Sequence, residues 1–522
     1  MNKIKAILFD VDDTIYSHKL KRIPELTKKT LRALKEKGYY LGVCTSRFPR
    51  EFYSLPQDDF KLFDMIIAGT GSIYIQNDEI IRVEKIEQDS VNRYMNYFKK
   101  NPDICYLWTE LNGNCYFNKE PHERTKNHHS SWSGGCPEIK EYNGEELCNI
   151  IYYYVSDTQT QEIIDLADEG SLERWDSCGH LNPKGINKAY GLKNFCKHFN
   201  LSLDEIVCFG DGKNDISMIE MAGIGIAVGN GHEELKQHAD YVCESIENGG
   251  IYHMCVELGL IEPIDTKIFF FDIDSTTYLH RIHDNPASTK LAFKKLKENG
   301  YKLYICTSRS YEEMSELPKD FLDVMDGIAC LGGAHLILDG KHQMITMDHD
   351  EVKQVLQYLD EKNIIYRYCT SDGHGYLNRF DQEKHDLFYR LYQMVPPIKK
   401  YENEEVTHIL YYVKDEEDVK KTNEILKNSS VVRLNLSSEA TPYNIDKASA
   451  IENVVKHYGY TLENAVSFGD GRNDISMLLA AGIGIAMGNA HEDCKNIADY
   501  VTDAIDEDGL YNACVRFKWI EK

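Results

Sequence analysis

At 522 residues, with 42% hydrophobic and 27% charged side chains, the chain needs more than one hydrophobic core and has no composition for wholesale disorder. A formal net charge of −25 disfavours a nucleic-acid backbone or an anionic membrane surface as partner, although a small anion neutralised by a metal and local cations stays open. No apolar run reaches the roughly 18 residues of a spanning helix, the opening residues lack the apolar core of a secretory signal, and 15 cysteines fall without a CxxC pair, so the expectation is reduced thiols in a cytoplasmic protein.

The first apolar run, Ile7-Leu8-Phe9, ends in Asp10-Val11-Asp12-Asp13-Thr14. It reads as a buried parallel strand delivering two carboxylates at its end, where ligands of open α/β sheets sit. A helix opens at Pro24-Glu25 and closes at Gly38, and a second strand, 40–44, leads to Thr45-Ser46-Arg47. A third strand, 65–68, leaves through Gly69-Thr70-Gly71. Residues 83–177 then change character, rich in Tyr, Asn, His and charge, with one clear strand at Ile150 to Val155, and read as an inserted α/β module. The core resumes near Pro183, passes Lys188 on a helix and a strand at 205–209, and reaches Gly210-Asp211-Gly212-Lys213-Asn214-Asp215.

The whole plan then repeats. Phe271-Asp272-Ile273-Asp274-Ser275-Thr276 and Thr307-Ser308-Arg309 stand 262 residues after their counterparts, with a helix carrying Leu291 and Leu296 between them. Lys447 and Gly469-Asp470-Gly471-Arg472-Asn473-Asp474 stand 259 residues after theirs, so three residues are lost within the second insert, 345–436. This is duplication of a domain, not a solenoid of short repeats. The expected units are 1–262 (core 1–82 and 178–262, insert 83–177) and 263–522 (core 263–344 and 437–522), and the short join predicts that the halves pack on each other.

Each polar element has a task if the substrate is a phosphate ester. A strand-end Asp can attack phosphorus, an Asp two residues on can move protons, a distant carboxylate lets a hard cation such as Mg²⁺ bridge protein and phosphate, and Lys and Thr donate to phosphoryl oxygens. The ordered set Asp10-x-Asp12-x-Thr14, Thr45-x-Arg47, Lys188 and Gly210-Asp211-Gly212-x-Asn214-Asp215, with its second copy, resembles the four motifs of the haloacid dehalogenase superfamily, in particular the Cof-like phosphatases with a type IIB cap.

That resemblance implies two doubly wound (Rossmann-like) α/β cores, each with an inserted α/β cap domain. It implies nucleophiles Asp10 and Asp272 and acid/base residues Asp12 and Asp274. Mg²⁺ would be held by Asp10, the Asp12 carbonyl and Asp211, or by Asp272, the Asp274 carbonyl and Asp470. Thr45, Ser46, Lys188 and Asn214, with Thr307, Ser308, Lys447 and Asn473, would bind the phosphoryl group, supported by Asp215 and Asp474. The substrate would be a small phosphorylated metabolite, a sugar phosphate by resemblance. Alternatives are one catalytic half beside a phosphate-binding regulatory half, or transfer of the phosphoryl group to a second hydroxyl. The chain departs from the pattern at Asp13 and Ser275, where glycine is usual, at Ser46 and Ser308, again usually glycine, and at His180, where the second half has the expected glutamate, Glu439.

Lesser features carry plainer readings. His18 and His280 follow the first motif and are expected at the surface; His128-His129 with Cys136 reads as a polar loop and not a zinc site, for want of a counterpart. Tyr152-Tyr153-Tyr154 reads as a cap strand, and Asn112-Gly113-Asn114 with Asp372-Gly373-His374 as loops that could lower over the sites.

Overall fold

The strand Ala6–Phe9 is buried along its whole length. In the computed structural model, which describes residues 4–132, 135–175, 178–434 and 436–522, this strand lies inside an eight-stranded sheet. The order is Tyr241–Val242, Ile224–Ala227, Ile206–Gly210, Ala6–Phe9, Tyr40–Cys44, Met65–Ala68, Ile73–Gln76 and Glu79–Val83. The first six strands are parallel and the last two fold back antiparallel. Chain order runs outward in both directions from Ala6–Phe9, so a switch point falls between it and Ile206–Gly210, and the ends of those two strands flank the crevice where α/β sheets bind ligands.

Alternating side chains of the central strand feed both faces. Ala6 and Leu8 join Leu192, Phe195 and Cys208 in one core layer. On the other face Phe9 stacks on Phe209 with ring centroids 5.1 Å apart, a pairing set by the register Phe9↔Phe209. Burying each such ring contributes roughly 1.5–3 kcal/mol. The helix Glu25–Glu36 turns Leu26, Leu31 and Leu34 inward.

Met1–Glu262 and Pro263–Lys522 form two compact units. The second contains an equivalent sheet, ordered Lys341–Met344, His335–Leu338, Gly327–Cys330, Lys302–Cys306, Ile268–Phe271, Ala465–Gly469, Ile483–Ala486 and Tyr500–Val501. Its helix Ala287–Glu298 buries Ala292, Phe293 and Leu296, whereas Leu291 is exposed: the inward stripe runs through the smaller and aromatic positions. The edge hairpin of each core went unread in the sequence, because its outermost strand, Glu79–Val83, is exposed almost throughout and shows no alternation.

Each insert is a five-stranded antiparallel sheet, ordered Cys115–Phe117, Cys105–Glu110, Leu147–Tyr153, Cys178–Leu181 and Leu172–Trp175 in the first unit, so the insert runs past the expected ends at 177 and 436 to take in Cys178–Leu181 and, in the second unit, Ser438–Pro442 as strands of its own sheet. The central strand thus starts and ends earlier than the expected Ile150 to Val155, and in the second unit it is Val406–Tyr411. It is buried on every residue because both faces are covered. Trp108, Ile150 and Tyr152 pack under Val91, Tyr94 and Phe98 of the helix Gln88–Lys100, while the opposite face, carrying Leu107, Ile151 and His180, is buried as well. Tyr152 and Tyr153 therefore lie on opposite faces, and Tyr154, at φ 53°, leaves the strand exposed. Among the described residues no helix is long and apolar enough to cross a membrane, and all fifteen cysteines are free thiols.

Candidate active site

Asp10 follows the last residue of Ala6–Phe9 and Asp211 the last residue of Ile206–Gly210, so neighbouring strands deliver both to one end of the sheet. Carboxylate oxygens of Asp10, Asp211 and Asp215 lie within 4.8 Å of one another, as do those of Asp272, Asp470 and Asp474. Lys188 is the first residue of the helix Lys188–Phe199, whose N-cap Asn187 accepts a hydrogen bond from the Tyr190 amide at 2.9 Å. Anchored there, Lys188 is fully buried and its Nζ lies 2.5 Å from Asp10 Oδ1 and 2.5 Å from Asp215 Oδ1. Lys184, the other lysine in reach by sequence, is exposed. In the second unit Lys447 lies 2.6 Å from Asp272 and 2.5 Å from Asp474.

The turn after Gly210 explains its own composition. Asp215 Oδ2 accepts from the amides of Asp211 and Gly212 at 3.0 and 2.9 Å, folding the carboxylate back over Gly210, where a Cβ would come within 2.6 Å of Asp215 Cβ. Only glycine admits that approach. Thr14 donates to Asp211 Oδ1 at 3.1 Å and Thr276 to Asp470 at 2.9 Å, joining the first motif to the last. Asp13 and Ser275 adopt φ of 52° and 62°, which accounts for the glycine usual there. Asn230 and Asn489 hold these turns by donating to the Asp13 and Ser275 carbonyls at 2.6 and 2.8 Å. These two asparagines were missed in the sequence, although a repeat alignment carried past Ala227 would have flagged Gly229-Asn230 against Gly488-Asn489.

Charge balance within the cluster is uneven: three carboxylates, Asp10 and Asp215 buried and Asp211 half-buried, face one ammonium, an excess of two negative charges when all three are ionised. Burial, with Asp215 beside it, pushes Asp211 up to about 7; burial and Asp474 do the same to Asp470. Burial raises Asp10 well above the ordinary carboxylate range despite Lys188. An all-oxygen donor set short of two positive charges suits a hard divalent cation such as Mg²⁺.

Asp12 is placed differently. Its carboxylate is gripped by Arg47, Nε to Oδ2 at 2.8 Å and Nη2 to Oδ1 at 2.6 Å, and by His18 Nε2 at 2.8 Å. Burial would raise Asp12, but these hydrogen bonds outweigh it and hold it low. Asp274 is likewise bound by Arg309 and by His280 at 3.0 Å, which overcome burial and hold it near 2. Neither side chain belongs to the acidic cluster; the expected cation contact concerned their backbone carbonyls. His18 and His280, expected at the surface, are half-buried partners of these carboxylates.

Thr45 is buried at the end of Tyr40–Cys44, its hydroxyl accepting from the Arg47 amide at 3.1 Å; Thr307 repeats this at 3.2 Å. Ser308 takes a hydrogen bond from Asn473 at 2.8 Å and donates to Glu439 at 2.9 Å, whereas Ser46 and Asn214 make no such link to each other. Of the expected polar loop, His129 is buried against the Tyr153 hydroxyl at 2.9 Å, and the His128 side chain lies outside the described residues. Among the described residues the two aspartate clusters alone have metal-ligand spacing.

The cap reaches the core through pairs that local sequence does not announce. In the second unit Arg367, on a cap strand, meets Glu313 at 2.5 Å, both buried, and its Nη2 lies 3.4 Å from His408 Nδ1. Burial and Arg367 hold His408 far below the ordinary histidine value of 6.5. The unfolded chain takes up a proton below about pH 6.5 that the folded cap excludes, so the stability that rests on neutral His408 is whole above that pH and is lost as pH falls. Unfolding in urea from pH 7.5 to 5 should accordingly fall off more steeply in the wild type than in His408→Gln; parallel curves would refute this. The expected cap loops rest on the cores: a Cβ at Gly113 would meet Pro49 at 3.0 Å, and His374 stands 3.7 Å from Glu312.

The fold and site define the class: an α/β enzyme with a capping module, its buried lysine and aspartates gathered at the carboxyl ends of a parallel sheet. The family model described as haloacid dehalogenase-like hydrolase matches residues 7–255 and again 269–514, and the chain belongs to that family through both halves. It is similar to the 5-amino-6-(5-phospho-D-ribitylamino)uracil phosphatases YcsE and YitU of Bacillus subtilis (strain 168). YcsE is 41% identical over 47% of this chain and 92% of its own length, and YitU is 25% identical over 47% and 94%. Among solved structures the HAD subclass IIB sugar phosphatase BT4131 aligns with a TM-score of 0.46 and 31% identity over 49% of this chain and all of its own. The chain is a phosphatase.

Proposed function

We propose that each unit hydrolyses a small phosphomonoester with Mg²⁺ through an aspartyl phosphate, the first at Asp10 and the second at Asp272. The observation that carries this reading is the twin cluster in which an aspartate at a central strand end shares a buried lysine with one carboxylate and stands within 4.8 Å of another. A carboxylate oxygen of Asp10 bonds to phosphorus as the ester P–O bond breaks, the leaving oxygen taking a proton from Asp12. Water then attacks the phosphorus, the bond to Asp10 breaks, and the water's proton passes to Asp12 as inorganic phosphate leaves. Lys188 and Thr45 stabilise the phosphoryl oxygens during both displacements. Mg²⁺, held by Asp10, Asp211 and the Asp12 carbonyl, would neutralise charge on the transferring group. Gripped by Arg47 and His18, Asp12 is anionic, the form that accepts the water's proton; giving one to a leaving group requires that grip to loosen.

The substrate class proposed is a primary phosphate on a polyhydroxyl chain, as in the phosphoribityl group named for YcsE and YitU. Calorimetric titration of the metal-free protein with Mg²⁺ is expected to give two sites per chain, one in Asp211→Asn and none in Asp211→Asn/Asp470→Asn, with chelation abolishing phosphate release. Full activity in excess chelator would overturn the metal assignment. Saturating Mg²⁺ at about 100 times its Kd should also add about 2.7 kcal/mol to stability.

A further inference from the structure

The two active sites differ in what they place beside the phosphate. In the second unit a small cleft opens over Lys447, lined by Ser308, Gly332 and Asn473 of the core and by Val432 and Glu439 of the cap. Glu439 sits on one face of the cap sheet in a row fixed by strand register, Arg367–Leu410–Glu439–Val432. The same row in the first unit runs Leu107–Ile151–His180. The catalytic residues are shared, but this cap row is not: a carboxylate stands where the first unit has an imidazole.

Glu439 is buried to 7% exposure, and one oxygen, Oε2, accepts the Ser308 hydroxyl at 2.9 Å, itself fixed by Asn473 at 2.8 Å. The other, Oε1, accepts no hydrogen bond from the described residues. Oε1 is not sealed from solvent, and a carboxylate oxygen that lines a cleft without a donor from the protein is free to take one from a substrate hydroxyl. His180 is at least as buried, and burial alone pushes its ring down to about 3, so it is neutral and carries no charge to offer a hydroxyl.

Resting on the phosphatase reading above, we infer that Glu439 is the recognition residue of the second site for a hydroxyl on the carbon chain of the phosphate ester, and that the first site, with His180 at that position, lacks this preference. The fixed Ser308–Asn473 pair presents Oε1 in one orientation, so the hydroxyl is read by position as well as by polarity. A substrate ammonium could satisfy the same oxygen, and the test separates the two donors.

The experiment uses the full chain with Asp10→Asn, which leaves hydrolysis to the second site, and compares ribitol 5-phosphate, n-pentyl phosphate and 5-aminopentyl phosphate. The readout is the ratio of kcat/KM values on one protein preparation, which is independent of the fraction folded. The ribitol-to-pentyl ratio is expected to fall by roughly 10–100-fold in Glu439→Leu and by less in Glu439→Gln, which keeps an acceptor for Ser308. In the Asp272→Asn background, His180→Glu is expected to raise that ratio at the first site. A ratio unmoved by both Glu439 substitutions, or a preference for the aminopentyl ester over the ribitol ester, overturns the inference while leaving the phosphatase reading intact. Failure of the Asp10→Asn protein to hydrolyse any of the three esters overturns both for this unit.

Discussion

Replacing Asp10 and Asp272 together by Asn is expected to lower phosphomonoester hydrolysis by about 10⁴-fold, the order lost when an enzymic nucleophile is removed. Each single substitution should remove one set of substrates and spare the other, because each unit has a complete set of its own: Asp10 with Lys188, Asp211 and Asp215, or Asp272 with Lys447, Asp470 and Asp474. Folding should survive, since Asn keeps the shape and an acceptor for the lysine, and the site sheds one of its excess negative charges. Phosphate release over a panel of phosphorylated metabolites measures the outcome. A double variant with undiminished activity would end the proposed mechanism, and Asp272→Asn without effect on any substrate would make the second half a non-catalytic partner of the first.

The other large effect lies between cap and core of the second unit. Arg367→Leu is expected to destabilise that unit by about 3–5 kcal/mol, because it strips the partner from a carboxylate, Glu313, buried as deeply as the arginine itself. Part of the loss is recoverable by protonation. In the first unit Leu107 and Glu51 take the corresponding positions, and burial raises Glu51, which keeps the Phe48 amide at 3.1 Å and His129 Nδ1 at 3.6 Å as neighbours. The double variant Arg367→Leu/Glu313→Gln, which removes the stranded charge and leaves an acceptor for the Ser310 amide, should lie within about 1 kcal/mol of the wild type. Urea unfolding of the full chain decides the matter. A cost below about 1 kcal/mol for the single variant, or a double variant no better than the single, would show that the pair does not hold cap to core.

Activity should follow the same contact. Arg309, which binds Asp274, also lies 3.4 Å from the Leu391 carbonyl of the cap and 4.8 Å from the Tyr392 ring centroid, so cap position and the ionisation of Asp274 are tied through one guanidinium.

The duplication, the strands that lead into Asp10, Thr45 and Asp211, the glycines flanking Asp211 and the correspondence of Lys188 with Lys447 could all be argued from residue order. The strands and the turn are decided within a few residues by a continuous apolar run and by turn chemistry, and the lysine and the duplication by the match between the two copies. The sequence also marked a boundary near Glu262, where the two compact units meet in the chain. What only the tertiary structure decided are the partners of those residues. Arg47 stands 35 residues from Asp12 and Arg367 stands 54 from Glu313, and no local spacing specifies such pairs. The row Arg367–Leu410–Glu439–Val432 was unreadable for the same reason: its members come from four strands whose register is set by how the cap sheet assembles. The proposed chemistry belongs to short segments at strand ends, whereas the proposed choice of substrate belongs to a surface that exists only once distant strands have paired.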